Sequence, residues 1–248
     1  MADRPIRLAL IFAAISILAS LIMIPYQLQI ISLPAGIPVP PAILLASSAL
    51  QTGIITFLLS YLGIRLSSTV GLQLSLWKGW VYRRTNEGFQ KKAVLIAISG
   101  GIAVSCIIIA LDRLYFLPHI PQLAQFQAPE TSRWIGLTTL FYGGIVEELQ
   151  VRLGLMTFLV WLPYRLFGKK TRRWMFVFAI LFTSLLFGLL HLPATFQAFG
   201  ELTPMLVFRG IVLNCLGGIV FGWLYWKKGL EYAMIAHMTG DMMLHVIF

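Results

Sequence analysis

A small set of ionisable side chains lies within the most apolar stretches of this sequence. They are Glu147, Glu148, Arg152, His191, His237 and Asp241. An ionisable group at the centre of a membrane helix costs roughly 2.5 to 3.5 kcal/mol, so such groups are rare and mark functional sites by default. These side chains are therefore the candidate functional residues.

Helical spacing sorts these groups into pairs. Glu148 and Arg152 are four residues apart, in the order that favours an ion pair along one helix face. Glu147 points about 100° away from Glu148 and has no such partner in its own helix. His237 and Asp241 are also four residues apart and share one face of a second helix. One glutamate is therefore predicted to be paired, and the other to be free.

Distances along the chain predict which of these residues meet. Glu147 and His191 each lie 18 residues from a basic residue that marks the end of their own helix, which is roughly 27 Å along the helix axis. His237 lies nearer to the basic end of its helix, so helix tilt must bring it to the level of Glu147 and His191. His245, one turn beyond Asp241, is the competing residue if tilt does not.

These residue types favour hydrolysis of an amide bond. A glutamate and a histidine at one level can hold and deprotonate a water molecule. A second histidine and a carboxyl group one turn away can stabilise the oxyanion that forms when water attacks a carbonyl. Two histidines and a glutamate are also a common zinc ligand set. The spacing His-Glu-x-x-His is absent, so zinc is disfavoured and no cofactor is predicted.

The elements that position these groups are predicted to be membrane helices. Of 248 residues, 58% are hydrophobic and 11% charged, and the mean hydropathy is +0.85, far above that of soluble domains. Backbone exposed to lipid must satisfy its own hydrogen bonds, so every span is predicted to be helical. Seven spans are predicted, at 6–26, 41–64, 91–111, 133–165, 173–192, 203–226 and 229–247.

The predicted fold class is thus an all-α, polytopic transmembrane helical bundle. It forms a single membrane domain, 1–248, whose motif-bearing catalytic core is 133–248. Most of the 19 basic residues fall in alternate loops, which by the positive-inside rule predicts a cytoplasmic N-terminus. The net charge of +10 therefore describes topology and contact with the lipid bilayer, and no nucleic-acid partner is expected. The expected location is a bacterial plasma membrane.

Two further features concern the shape of the bundle. The basic loop 65–92 is predicted to hold an interfacial helix, with Trp77, Trp80 and Tyr82 at the level of the lipid headgroups. The fourth predicted span would be roughly 50 Å long if straight, whereas a hydrocarbon core is about 30 Å thick. Gly143 and Gly144 are therefore the expected place of a bend or of close helix packing.

Three motifs in order resemble one known family. They are Glu-Glu-x-x-x-Arg as EELQVR (147–152), Phe-x-x-x-His as FGLLH (187–191) and His-x-x-x-Asn/Asp as HMTGD (237–241). Together they resemble the CPBP family, also called ABI, which includes type II CAAX prenyl endopeptidases and bacteriocin-processing or immunity proteins. The resemblance covers about 115 residues, from the fourth span to the C-terminus.

This resemblance implies an intramembrane endopeptidase of the glutamate type. Glu147 matches the glutamate that activates water, His191 the histidine that assists it, and His237 the oxyanion-stabilising histidine. Asp241 stands where the eukaryotic CAAX proteases carry Asn. An ionised Asp would repel an oxyanion, so Asp241 must be protonated or act by orienting His237.

The remaining motif positions are supporting ones, and they are Glu148, Arg152 and Phe187. The implied substrate is a peptide, or a prenylated or otherwise membrane-anchored protein. Three other functions stay open at this point: a non-enzymatic immunity or scaffold protein, a zinc-dependent membrane metallopeptidase, and an ion-coupled transporter. A transporter should show an internal repeat, and the first three spans hold no ionisable residue that would mirror the later ones.

Overall fold

Helices make up nearly all of the computed structural model, which describes residues 4–30, 40–82, 90–125 and 133–247. These described residues contain no β-strand. The first half comprises α1 (Pro5–Ile22), α2 (Ile24–Ile30), α3 (Pro41–Val70), α4 (Ser75–Tyr82), α5 (Lys91–Leu111), the short π helix π1 (Asp112–Phe116), α6 (Leu117–His119) and α7 (Pro121–Gln125).

The second half carries the candidate functional residues. Its elements are α8 (Arg133–Gly136), α9 (Thr139–Phe141), the π helix π2 (Tyr142–Met156), α10 (Thr157–Leu166), α11 (Arg173–Leu190), α12 (Leu192–Phe199), α13 (Pro204–Lys227), α14 (Leu230–Met242) and π3 (Met243–Ile247). The predicted interfacial helix within the loop 65–92 corresponds to α4.

The all-α transmembrane bundle predicted from the sequence is confirmed. Within the described ranges, five helical stretches are long and apolar enough to cross a membrane: Pro5–Leu28, Ile43–Val70, Lys91–His119, Arg173–Phe199 and Pro204–Lys227. They correspond to five of the seven predicted spans. The other two, at 133–165 and 229–247, are helical but divided into shorter segments. The count of seven spans and the cytoplasmic N-terminus stay predictions.

The third span extends beyond its predicted end at residue 111. Helix continues through Asp112 to His119. The charge of Asp112 does not end the helix, because it has a partner on another helix. Arg209 of α13 binds this carboxylate through two hydrogen bonds, from Nε to Oδ1 (2.6 Å) and from NH2 to Oδ2 (2.8 Å). Asp112, which the sequence indicated as the end of the helix, therefore lies within it and contacts a second helix.

The fourth predicted span is interrupted earlier than its glycines suggested. The helix breaks at Leu137 and Thr138, while Gly143 and Gly144 lie inside π2. Both glycines serve close packing, the second of the two predicted roles: a Cβ at Gly143 would collide with the Asp241 carboxylate, and one at Gly144 with the Met238 side chain. π2 and α14 can approach this closely only because these positions lack side chains.

Helix α14 lies at the centre of the second half, packed against π2, α5 and α13. Its small residues allow close approach: a Cβ at Gly101 of α5 would collide with the Ala236 carbonyl oxygen and lie 2.8 Å from Thr239 Cβ. Because protein rather than lipid surrounds α14, the helix does not need to be apolar on every face. α14, which holds His237 and Asp241 and is 13 residues long, is accordingly not among the five stretches that are long and apolar enough to cross a membrane.

The α5–α14 contact yields a stability prediction with a matched neighbour. Gly101→Ala should destabilise the protein by about 1 to 3 kcal/mol, because the added methyl group overpacks the contact with Ala236. Gly100→Ala should be neutral or slightly stabilising, since its Cβ would meet only Val220 at 3.5 Å and Leu224 at 3.8 Å, and Ala favours helix over Gly. Thermal unfolding of both purified variants in one detergent checks this. Equal midpoints would contradict the packing described here.

Candidate active site

Glu147 and Glu148 are presented by the π helix π2, which is 15 residues long. A π helix forms hydrogen bonds between residues five apart and is a rare conformation that occurs often at functional sites. The sequence prediction of a 100° step between the two glutamates assumed α-helical geometry, whereas this segment is a π helix.

The Glu147 carboxylate lies between two histidine rings. Its Oε1 is 3.8 Å from His191 Nε2, and its Oε2 is 3.7 Å from His237 Nε2. The two residues that chain distances place at one level are thus in contact, and helix packing brings His237 to the same carboxylate. His245 lies instead edge-on to Tyr26, with ring centroids 6.1 Å apart. The histidine beside Glu147 from the last helix is therefore His237.

The local backbone orients His191. Its Nδ1 donates a hydrogen bond to the carbonyl oxygen of Phe187, one turn earlier, over 2.8 Å. A carbonyl oxygen can only accept, so the proton is on Nδ1 and the Nε2 lone pair faces Glu147. His191 is the last residue before the break between α11 and α12. The side chain is 33% exposed, which makes this the more accessible side of the site.

His237 is held in a different way, by a buried carboxylate. Its Nδ1 donates to Glu148 Oε1 over 2.9 Å, and Glu148 is almost completely buried. This leaves His237 Nε2 facing both Glu147 and Asp241, at 3.7 Å from an oxygen of each. The sequence predicted only Arg152 as a partner of Glu148 and missed this second bond, because helical spacing reports contacts within one helix and not between helices.

The predicted ion pair between Glu148 and Arg152 is present, with Nε and Oε2 3.5 Å apart and both side chains buried. The guanidinium also donates from NH1 to Thr183 Oγ1 over 3.0 Å and lies 5.8 Å from the centroid of the Phe187 ring. In the described part of the chain, Glu148 Oε2 and Arg152 Nε and NH2 have no hydrogen-bond partner. The two charges of the pair therefore stabilise each other chiefly by Coulomb attraction at short distance, and not by a hydrogen bond between them.

Two phenylalanines fix the planes of the histidine rings. Phe187, a predicted supporting residue, meets both rings edge-on, with centroid distances of 4.5 Å to His191 and 5.9 Å to His237. Phe221 of α13 stacks on His237 at 4.4 Å with 19° between the planes. Sequence reasoning missed Phe221, which is one of 17 phenylalanines in the chain.

Glycines make room for the Phe221 ring. A Cβ at Gly217 would lie 3.2 Å from Phe221 Cε2, and one at Gly240 would lie 3.6 Å from its Cζ. The ring therefore occupies a slot between its own helix and α14. A phenylalanine flanked by glycines in a membrane helix is the weak sequence signal that could have indicated this position.

The arrangement brings together all four predicted catalytic side chains: Glu147, His191, His237 and Asp241. Asp241 is buried and faces Gly143 across the helix contact. Across the residues with described positions, no group of three or more His, Cys, Asp or Glu side chains is placed to hold a metal ion. The site therefore holds a carboxylate between two imidazoles, of which His191 is partly exposed and His237 is buried.

One comparison with known proteins gives a match, and it covers the part of the chain that holds the site. Residues 129–243 match the family model described as type II CAAX prenyl endopeptidase Rce1-like. This match agrees with the family that the three sequence motifs resemble, and all three motifs lie within the matched range. Comparisons with curated proteins and with solved structures give no match.

The buried ion pair yields a prediction about stability. Arg152→Leu should destabilise the protein by about 3 to 5 kcal/mol, because it leaves the Glu148 carboxylate buried without its cation. The double variant with Glu148→Leu should be clearly more stable than the single one, since the buried carboxylate that lost its guanidinium is then removed as well. Thermal unfolding of the variants in one detergent measures both effects. A double variant that is less stable than Arg152→Leu would contradict this account of the pair.

Proposed function

We propose that this protein hydrolyses a peptide bond within the membrane with glutamate-activated water, since residues 129–243 match the family model of the Rce1-like type II CAAX prenyl endopeptidases. The family supports an integral membrane protease of the CAAX prenyl endopeptidase type. The observation that supports the glutamate mechanism is the position of Glu147, 3.8 Å from His191 Nε2 and 3.7 Å from His237 Nε2.

In the proposed mechanism, Glu147 is the general base. A water molecule bound between its carboxylate and His191 Nε2 gives a proton to Glu147 while the water oxygen attacks the carbonyl carbon of the substrate. The electron pair of the carbonyl bond moves to oxygen, which becomes an oxyanion. Glu147 then gives the proton to the amide nitrogen while the electron pair of the oxyanion re-forms the carbonyl bond and the carbon–nitrogen bond breaks. The amine leaves, and the Glu147 carboxylate is regenerated. His191 orients the water through the lone pair that its Phe187 bond leaves free.

His237 stabilises the oxyanion in this proposal. As an imidazolium it donates from Nδ1 to Glu148 and from Nε2 to the oxyanion, so neither N–H is left unpaired. Asp241, 3.7 Å from Nε2, acts as a positioning residue that keeps this edge of the ring toward the substrate. Buried donors of this kind are effective because they are already oriented when the charge develops.

The family supports a membrane-anchored or prenylated protein as the substrate. We propose that the cleaved peptide bond lies in a segment of such a protein next to its membrane anchor, because the site lies between membrane helices. We also propose a bacterial plasma membrane as the location and a cytoplasmic N-terminus, in line with the distribution of basic residues. No cofactor is part of the proposed mechanism.

Removal of the proposed base tests the function. Glu147→Gln should lower the cleavage rate of a quenched-fluorescence peptide panel at least about a hundredfold, because the amide cannot accept the water proton. Glu201→Gln is the matched control, since Glu201 is an exposed glutamate that binds Gln122 outside the site. A strong zinc chelator should leave wild-type activity unchanged.

Each other result points to one of the alternative functions. Loss of wild-type activity on chelation would replace the proposal with a zinc-dependent metallopeptidase. Wild-type activity in Glu147→Gln would exclude this glutamate as the base. Correctly folded protein that cleaves no peptide or membrane-anchored substrate would favour an immunity or scaffold protein.

The stacked ring yields a second kinetic prediction. Phe221→Leu should lower kcat about 3- to 10-fold with little change in KM, because His237 loses an aromatic partner that fixes its plane. Phe221→Tyr keeps the ring and should retain most of the activity. Phe116→Leu, which alters a buried phenylalanine in a separate apolar cluster, is the control for general loss of packing. Similar kcat losses in Phe221→Leu and Phe116→Leu would reject the positioning role.

A further inference from the structure

Helix α4 connects one surface of the bundle to the helix that carries the oxyanion residues. Glu231, in the first turn of α14, is buried and accepts a hydrogen bond from the Trp77 amide over 3.1 Å. The Leu230 amide donates to the carbonyl oxygen of Gln73, just before α4, over 3.0 Å. The start of α14 is thus bound both to α4 and to the turn that precedes it.

One side of α4 is packed and the other is open. The Trp77 ring meets Phe12 of α1 edge-on at 5.0 Å, and Gly79 and Val81 are buried. Trp80, 6.0 Å from the Trp77 ring, is 70% exposed. Tryptophan with one packed neighbour and one open face is typical of the headgroup level of a membrane.

This end of the bundle is basic. The Tyr82 hydroxyl donates to the Arg4 carbonyl oxygen, and the Gln90 amide donates to the Tyr232 hydroxyl, so the start of α1, the start of α5 and the start of α14 all lie near α4. The basic residues that flank these elements in the sequence are Arg4, Arg7, Lys78, Lys91, Lys92, Lys227 and Lys228. Their charge is complementary to an anionic surface.

A cavity of about 250 Å³ lies beside α4, at the turn that follows α3. It is lined by Ser68, Gly71, Leu72, Gln73, Leu74, Ser75 and Lys78. Gly71 makes the turn with φ +77°, a conformation that favours glycine. Among the described residues of this lining, Lys78 is the one charged side chain, and two serine hydroxyls can donate beside it. An ammonium group with hydroxyl donors is suited to a phosphate.

We propose that α4 and this cavity bind the anionic headgroup of a membrane phospholipid, with Lys78 on the phosphate and Trp80 at the headgroup level. The exposed tryptophan and the surrounding basic residues favour a lipid over a free phosphate ion. Together they cover a wider surface than one phosphate ion can contact. The hydrogen bonds of α4 and its preceding turn with Glu231 and Leu230 then connect the bound lipid to the start of α14, whose position the lipid stabilises. This last step rests on the proposed function, because it concerns how His237 is positioned for cleavage.

Lipid binding can be measured without any cleavage assay. The full chain is placed in phosphatidylcholine vesicles that contain either brominated phosphatidylglycerol or brominated phosphatidylcholine, and tryptophan fluorescence is compared with that of Trp80→Phe. The difference isolates quenching at Trp80. Brominated phosphatidylglycerol should quench Trp80 more strongly, and Lys78→Gln should reduce that preference roughly fivefold, the effect of one basic residue near an anionic surface.

Two variants control for charge and folding. Lys78→Arg keeps the charge and should keep the preference, and Lys170→Gln removes the charge of an exposed lysine elsewhere on the chain and should also keep it. Equal quenching by both brominated lipids in the wild type would overturn the proposal, and so would an unchanged preference in Lys78→Gln. Loss of the preference on adding inorganic phosphate would show a free-phosphate site and would overturn the lipid assignment.

Cleavage measurements test the connection to α14. Wild-type kcat should be several-fold higher in vesicles with phosphatidylglycerol, and Glu231→Leu should lose this dependence while Trp80 quenching stays normal. Glu231→Gln keeps an oxygen that can accept from the Trp77 amide and should behave as the wild type does. Lipid dependence retained in Glu231→Leu would reject the connection. Because quenching needs no activity, an inactive protein would refute the proposed function and leave the lipid site standing.

Discussion

The structure depends on one buried carboxylate, that of Glu148. A carboxylate in a low-dielectric interior is very costly unless charges and donors surround it. Glu148 meets this requirement with Arg152 on its own helix and His237 on α14, and Arg152 in turn binds Thr183 on α11. Compensation of one charge therefore holds three helices together, and the geometry of the candidate site follows from where they meet.

Close backbone packing is the second constraint, and it explains why the site helices differ from ordinary membrane spans. Gly143 of π2 lies against Asp241, and Gly101 of α5 lies against Ala236, so α14 is enclosed by protein at short range. An enclosed helix can carry polar side chains that a lipid-facing helix cannot. α14, which contributes His237 and Asp241 to the site, therefore does not need the apolarity of a lipid-facing span.

The sequence predicted features that depend on composition or on spacing within one helix. Apolar stretches gave the transmembrane bundle, and the interval of four residues gave the pair of Glu148 and Arg152. The π winding of 142–156 could not be predicted, because periodicity in so short a segment assumes the α-helical turn. The contact of His237 with Glu148 and the stack of Phe221 were missed because they join different helices, and helix-to-helix register is not written in local spacing.

The two histidines show how one side-chain type is given two roles by its surroundings. His191 is 33% exposed and bound by a backbone carbonyl, whereas His237 is 7% exposed and bound by a carboxylate. On the proposed mechanism, water reaches Glu147 from the side of His191, and the developing charge forms beside His237. The substrate carbonyl oxygen must then point toward α14, with its carbon near Glu147. Only an extended peptide segment exposes a carbonyl in this way, since the carbonyls of a helix are occupied by its own hydrogen bonds, so a helical substrate must unwind before it is cut.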